Sequence, residues 1–186
     1  MLIKAEMIAA TLVPLVLNLM WAPLFNLLTS NKYGTSNQDV FLILSFCVPF
    51  QYITNIIWSA HLAKNRLSLI LRITMVTFFV AALGDIIFIP QYGARAAALV
   101  FLVAMIIEYV NYLKSSELKA IRETWSSLVA CMAAAAFSGF VGNYFFNNLL
   151  NLLVALPLFF LILRATGQLK KSDLVFVLQM VRKKKT

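Results

Sequence analysis

The sequence predicts an all-α integral membrane protein, built as a bundle of six transmembrane helices. Of its 186 residues, 62% are hydrophobic and only 12% are charged, whereas a soluble domain usually carries about a quarter charged residues. The apolar residues also come in runs that are long enough to cross a bilayer. Water cannot solvate a surface of this composition, so lipid has to be part of the solvent.

Six apolar runs are separated by short polar or charged connections. The spans are predicted at residues 7–29, 40–63, 67–89, 94–113, 125–145 and 149–163. The sixth run is the shortest, and the last two form either two spans or one re-entrant hairpin. Residues 1–165 therefore make up the bundle. Residues 166–186 form a basic tail, which is predicted to hold an amphipathic helix on the inner leaflet.

The basic residues are distributed very unevenly when the chain is threaded back and forth through the membrane. Fourteen of the sixteen Lys and Arg fall on one side, and only Lys32 and Arg95 fall on the other. Because Lys and Arg accumulate on the cytoplasmic side, both termini are predicted to be cytoplasmic. The net charge of +9 has this origin and not a basic folded face, which excludes nucleic-acid binding. The apolar run after Lys4 is broken by Pro14, so it is predicted to be a retained helix and not a cleaved leader.

Nothing in the sequence predicts an enzyme, a cofactor or a metal site. No nucleophile motif, ligand cluster, P-loop or dinucleotide loop is present. Cys47 and Cys131 lie inside apolar runs and are predicted to be buried thiols, not a disulfide. The single histidine, His61, lies at the end of the second span. It is predicted to be a solvated or snorkelling group, with a proton relay as the alternative.

Three charged residues within the spans are candidates for binding a substrate or an ion. Carboxylates in a membrane are costly, so Asp85 and Glu108 raise a functional hypothesis. Alternatively, Asp85 reaches the outer water or pairs with Arg95, and Glu108 reaches the inner headgroups or pairs with Lys114. Arg72, about one turn into the third span, either snorkels or binds an anionic group such as a lipid phosphate.

The first two spans combine prolines with polar residues. Proline removes a backbone donor, so it should kink or locally unwind a helix, and in transporters the freed carbonyls line a cavity. The alternative is simple kinks. The prolines inside the spans are Pro14, Pro23, Pro49 and Pro157. On the second span, Gln51, Asn55 and Ser59 share a face, which is predicted to be wet or buried in protein, with interhelical hydrogen bonds as the plainer role. Gln51 and Asn55 are therefore two further candidates for binding a substrate or an ion.

Two segments of the chain follow a helix-end and turn pattern that is typical of a known family of membrane proteins. The stretch from Ile87 to Ala98 has an apolar-Ile-Pro helix end (Pro90), a Tyr92-Gly93 turn and a small-residue start to the next helix. The stretch from Ser59 to Arg66 is similar to the family's helix end and basic turn. The resemblance is to the polysaccharide-transport branch of the multidrug/oligosaccharidyl-lipid/polysaccharide flippase superfamily, which has a MATE-like fold. The family usually has a neutral residue near Asp85, and Gly-Ala where this chain has Arg95-Ala96.

The resemblance implies a role in export across the bacterial inner membrane. Complete members have twelve to fourteen spans in two six-helix bundles, and this chain resembles the C-terminal bundle only. The implied substrate is an undecaprenyl-linked oligosaccharide for O-antigen, capsule or exopolysaccharide assembly. The implied partners are membrane lipids and either an N-terminal half-transporter or a second copy, because two bundles are needed to enclose a central cavity. The alternative is a truncated or inactive half that does not transport.

Overall fold

A computed structural model describes residues 2–30, 32–115, 125–145 and 150–168. Throughout these residues the regular structure is helical, which confirms the predicted all-α class. The helices, in chain order, are α1 (Leu2–Leu28), α2 (Gln38–Ala63), α3 (Leu67–Tyr92), α4 (Ala94–Ser115), α5 (Trp125–Phe145) and α6 (Asn151–Ala165). Residues 116–124, between the fourth and fifth predicted spans, lie outside the described residues, as do residues 146–149 and the predicted tail from residue 169.

The described helices form a bundle suited to lipid. Five of them, α1 to α5, are long and apolar enough to cross a membrane. The apolar helix α6 has 15 residues, about 22 Å, so it is shorter than the hydrocarbon core of about 30 Å. Large apolar side chains point outward, with Leu27 82% exposed and both Ile86 and Phe140 72% exposed. A surface this apolar indicates a membrane-embedded protein.

The predicted helix limits need correction at the turn between the third and fourth helices. A turn was expected from Pro90 onward, but α3 continues to Tyr92, and Gly93 is the single connecting residue before α4. The helix ends at Gly93, which adopts φ 61°, a conformation that glycine reaches without strain.

The helices end at recognisable capping motifs. Asn65 has φ 55°; its N–H donates to the carbonyl of Leu62, and the Arg66 N–H donates to the carbonyl of His61. This is a Schellman arrangement, in which a left-handed residue satisfies the last carbonyls of a helix. Gly167 closes α6 in the same way, with φ 71°. Residues 64–66, which were predicted to form a short basic turn, therefore form the C-terminal cap of α2.

The helices divide into two groups of three. In one group, α4 packs against both α2 and α3; in the other, α5 packs against both α1 and α6. The two groups meet mainly where α1 packs along α2, while α2 and α5 contact each other only slightly. The buried core follows these contacts, and its fully buried large side chains include Met7, Ile57, Tyr109 and Phe159.

Close packing of α5 on α6 depends on Gly142. A Cβ placed on Gly142 would lie 3.0 Å from the Cβ of Ala155 and 3.1 Å from the carbonyl oxygen of Asn151. Small residues of this kind let transmembrane helices approach each other. Gly142→Val is therefore expected to destabilise the bundle by about 1–3 kcal/mol, measured by unfolding in mixed micelles. Ala133→Val, at an exposed position on α5, is the control, and equal losses for both variants would contradict this role for Gly142.

Candidate functional site: a cavity between α1, α2 and α5

A cavity of about 280 Å³ lies where α1, α2 and α5 meet. We call it the α1–α2–α5 cavity. Its walls include Pro14 and Asn18 from α1, Ser45 and Pro49 from α2, and Gly139 and Asn143 from α5. The cavity forms because α2 and α5 diverge while both pack on α1. It therefore places polar groups from three membrane-length helices around one space.

The polar wall is organised by a hydrogen bond between α1 and α2. The side-chain amide of Asn18 donates to the hydroxyl of Ser45 and to the carbonyl of Pro14, 2.9 Å away. Ser45 in turn donates to the carbonyl of Phe41 at 2.8 Å. The Asn18 carbonyl oxygen accepts no hydrogen bond from the described residues, so it remains available to a ligand in the cavity.

Both helices that share this hydrogen bond carry a proline at the cavity wall. Proline has no N–H, so Pro14 leaves the carbonyl of Ala10 without its helical donor, and Pro49 does the same for Ser45. The helices α1 and α2 nevertheless continue through these residues, so the unwinding expected in α1 does not occur. Free carbonyls at membrane depth are tolerated where they face a cavity or protein.

The third wall, from α5, combines small residues with an amide. Ala135, Ala136 and Gly139 keep this side of the cavity open. At one end, the Asn143 carbonyl oxygen accepts a hydrogen bond of 3.1 Å from the amide of Asn151, which begins α6. The Asn143 amide nitrogen has no acceptor among the described residues. The cavity therefore offers an amide donor on one wall and an amide acceptor on another.

The lining of the cavity is neutral, and its mouth is apolar. No Asp, Glu, Lys or Arg is among its lining residues. Leu42 and Phe140 line the cavity and are also exposed, so the opening lies on the lateral surface of the bundle. Amides and hydroxyls beside aromatic and aliphatic surface suit a neutral, hydrogen-bonding ligand with apolar faces. The volume is at the lower end for ligand sites, so the cavity has room for about one ring-sized group.

The five residues predicted to bind a substrate or an ion do not line this cavity. Gln51 and Asn55 are exposed on a different side of α2, and Ser59, on the same face, donates to the carbonyl of Asn55 at 2.8 Å. The predicted shared face is therefore real, but it is neither buried in the chain nor bonded to another described helix.

The charged candidates are distributed along α3 and α4. Arg72 is exposed, while Asp85 and Glu108 are half-buried. The pairing considered between Asp85 and Arg95 is not found, because Arg95 forms an exposed ion pair of 2.6 Å with Asp39 at the start of α2. Within the described residues no ion pair joins Glu108 and Lys114. These residues are thus separate from one another and do not form a single binding site.

Aromatic residues fill the other end of the bundle. Tyr109 of α4 stacks on Trp125 of α5 with ring centroids 5.5 Å apart, and it lies 5.6 Å from Phe50 of α2. His61 is buried and stacks on Tyr112 at 6.0 Å, so it is not the solvated group that was expected. The hydroxyl of Tyr109 is buried without a hydrogen-bond partner among the described residues.

Sequence reasoning named the prolines and noted polar residues in the first two spans, but it did not single out Ser45 or Asn143. A usable signal was present in two of these helices: Asn18 follows Pro14 by one helical turn, and Ser45 precedes Pro49 by one turn. A polar residue one turn from a proline lies on the same helix face as that proline. Asn143 gave no such signal, because α5 contains no proline.

Comparison of the chain with protein-family models, curated proteins and solved structures gave no match.

Proposed function

We propose that this chain is the C-terminal half of a flippase for lipid-linked oligosaccharides, in the polysaccharide-transport branch of the superfamily that it resembles. The observation that carries the proposal is the neutral, laterally open α1–α2–α5 cavity inside a bundle of membrane-spanning length. A sugar ring offers hydroxyls to Asn18 and Asn143 and an apolar face to Phe140, while its lipid carrier remains in the bilayer beside the opening. No catalytic step, cofactor or metal is involved.

In this proposal the end of the bundle that contains Lys4, Lys64 and Arg66 faces the bacterial cytoplasm. The described basic side chains at that end outnumber the two at the opposite end, Lys32 and Arg95, as the positive-inside rule requires. The other bundle comes from an N-terminal half-transporter or a second copy. Two bundles are needed because alternating access moves one bundle against another around a fixed site.

A second candidate is a membrane protein that does not transport. The small size of the cavity favours this candidate, because the cavity has space for a single ring only. One bundle alone also has no second wall with which to enclose a whole oligosaccharide unit.

Complementation separates the two functions. The chain is expressed alone, and together with an N-terminal flippase half, in a bacterial strain that lacks its own flippase, and surface polysaccharide is measured. Restored export upon co-expression supports the flippase half. No export under any pairing, although both proteins are present in the membrane, supports the non-transporting role.

A further inference from the structure

An unpaired seam runs along the outer side of α2. Its residues are exposed except for the half-buried Val48, and they follow each other at alternating intervals of four and three. The seam consists of Leu44, Val48, Gln51, Asn55, Trp58 and Leu62. This spacing is that of a left-handed helix pair, in which every position along such a stripe faces the partner helix. It extends over most of the 26 residues of α2.

The centre of this seam is polar. Gln51 lies at the midpoint of α2, with Asn55 one turn further on, and neither side chain makes a hydrogen bond to the described residues. An amide facing hydrocarbon without a partner is costly, since nothing there replaces its bonds to water. These two amides therefore require a covering surface that other parts of the described chain do not provide.

We propose that this surface is the same seam of a second copy of the chain, so that two α2 helices pair in parallel across a two-fold axis normal to the membrane. Copies inserted with the same topology bring identical residues to identical depth. An amide is both donor and acceptor, so Gln51 and Asn55 are complementary to themselves. Asn in a seam position also fixes the register and the number of helices.

This inference goes beyond the export function and concerns a different surface from the α1–α2–α5 cavity. No charged side chain lies on the seam, so two copies approach without like-charge repulsion. Trp58 and Leu62 extend the contact beyond the amides. Pairing through α2 leaves each cavity mouth, beside Leu42 and Phe140, open on another side.

The test measures association of the full chain in phosphatidylethanolamine–phosphatidylglycerol vesicles at high lipid dilution, by subunit counting of labelled protein. The wild-type chain is expected to form dimers. The double variant Gln51→Leu/Asn55→Leu is expected to weaken dimerisation by about tenfold or more. The control Phe78→Leu/Phe79→Leu changes two exposed side chains of α3 and is expected to leave association unchanged.

Cross-linking locates the contact. After Cys47→Ala and Cys131→Ala, single cysteines replace Gln51, Asn55 or, as the control, Phe79. Disulfide-linked dimers are expected from the first two positions only. Monomers at every dilution, equal association of the leucine double variant, or labelling of the cysteine at position 51 by a membrane-impermeant maleimide would each overturn the proposal. Because no export is measured, these results are independent of the transport function.

Discussion

Ala136→Trp is expected to abolish export in the complementing strain while leaving the protein folded in the membrane. Ala136 is exposed and lies on the α5 wall of the α1–α2–α5 cavity. An indole at this position occupies space that the cavity now leaves empty, close to the amide of Asn143. The residue is not in the buried core, so the larger side chain displaces ligand and not neighbouring helices.

Ala133→Trp is the matched control for this prediction. Ala133 is also an exposed alanine of α5, one turn away, but it does not line the cavity. Export is measured as surface polysaccharide at equal membrane levels of each variant. Full export by the Ala136 variant, or equal loss in both variants, would show that the cavity is not the transport site.

Tyr109→Ala is expected to cause the largest loss of stability, about 3–5 kcal/mol. The ring of Tyr109 is fully buried and touches aromatic rings of α2 and α5, so its removal leaves a cavity where three helices meet. Lipid cannot fill such a space, and the dispersion contacts of the lining atoms are lost. Unfolding by titration with dodecyl sulfate in mixed micelles measures the difference.

Tyr109→Phe tests the ring and the hydroxyl separately. The hydroxyl is buried and makes no hydrogen bond to the described residues. Burying it without a hydrogen bond destabilises the folded state, and its removal takes this destabilisation away. The phenylalanine variant is expected to be about 1 kcal/mol more stable than the wild type. A loss of stability comparable to that of the alanine variant would mean that the hydroxyl has a partner. Phe78→Ala, at an exposed position, is the control for the loss of an aromatic ring in Tyr109→Ala.

The fold class and the helices followed from the sequence because lipid imposes a simple rule: an apolar run of sufficient length becomes a helix. The predicted fifth span matches α5 in both limits. A predicted helix limit was wrong where a residue type occurs both in turns and inside helices. Pro90 marks a turn in water-soluble proteins, but here it occupies the last turn of α3, and only the conformation of Gly93 ends the helix.

The site was harder to predict because it depends on which helices are neighbours. A sequence shows that Gln51 and Asn55 share a face, but not that α4 and α1 pack on other sides of α2 and leave that face exposed. It likewise gives no indication that Asn18 and Ser45, 27 residues apart, are bonded. Asp85 and Glu108 were predicted as site residues because they are charged residues within the spans, whereas the cavity is lined by neutral groups.

The division of the bundle into two groups of helices has a mechanical consequence. The cavity lies on the boundary between them, with α2 on one side and α5 on the other, and α1 behind both. Gly93 is the single residue between α3 and α4, and α4 packs against α2 as well as α3, so we expect these three helices to move together. The width of the opening should then change when this group rotates or shears along the contact between α1 and α2.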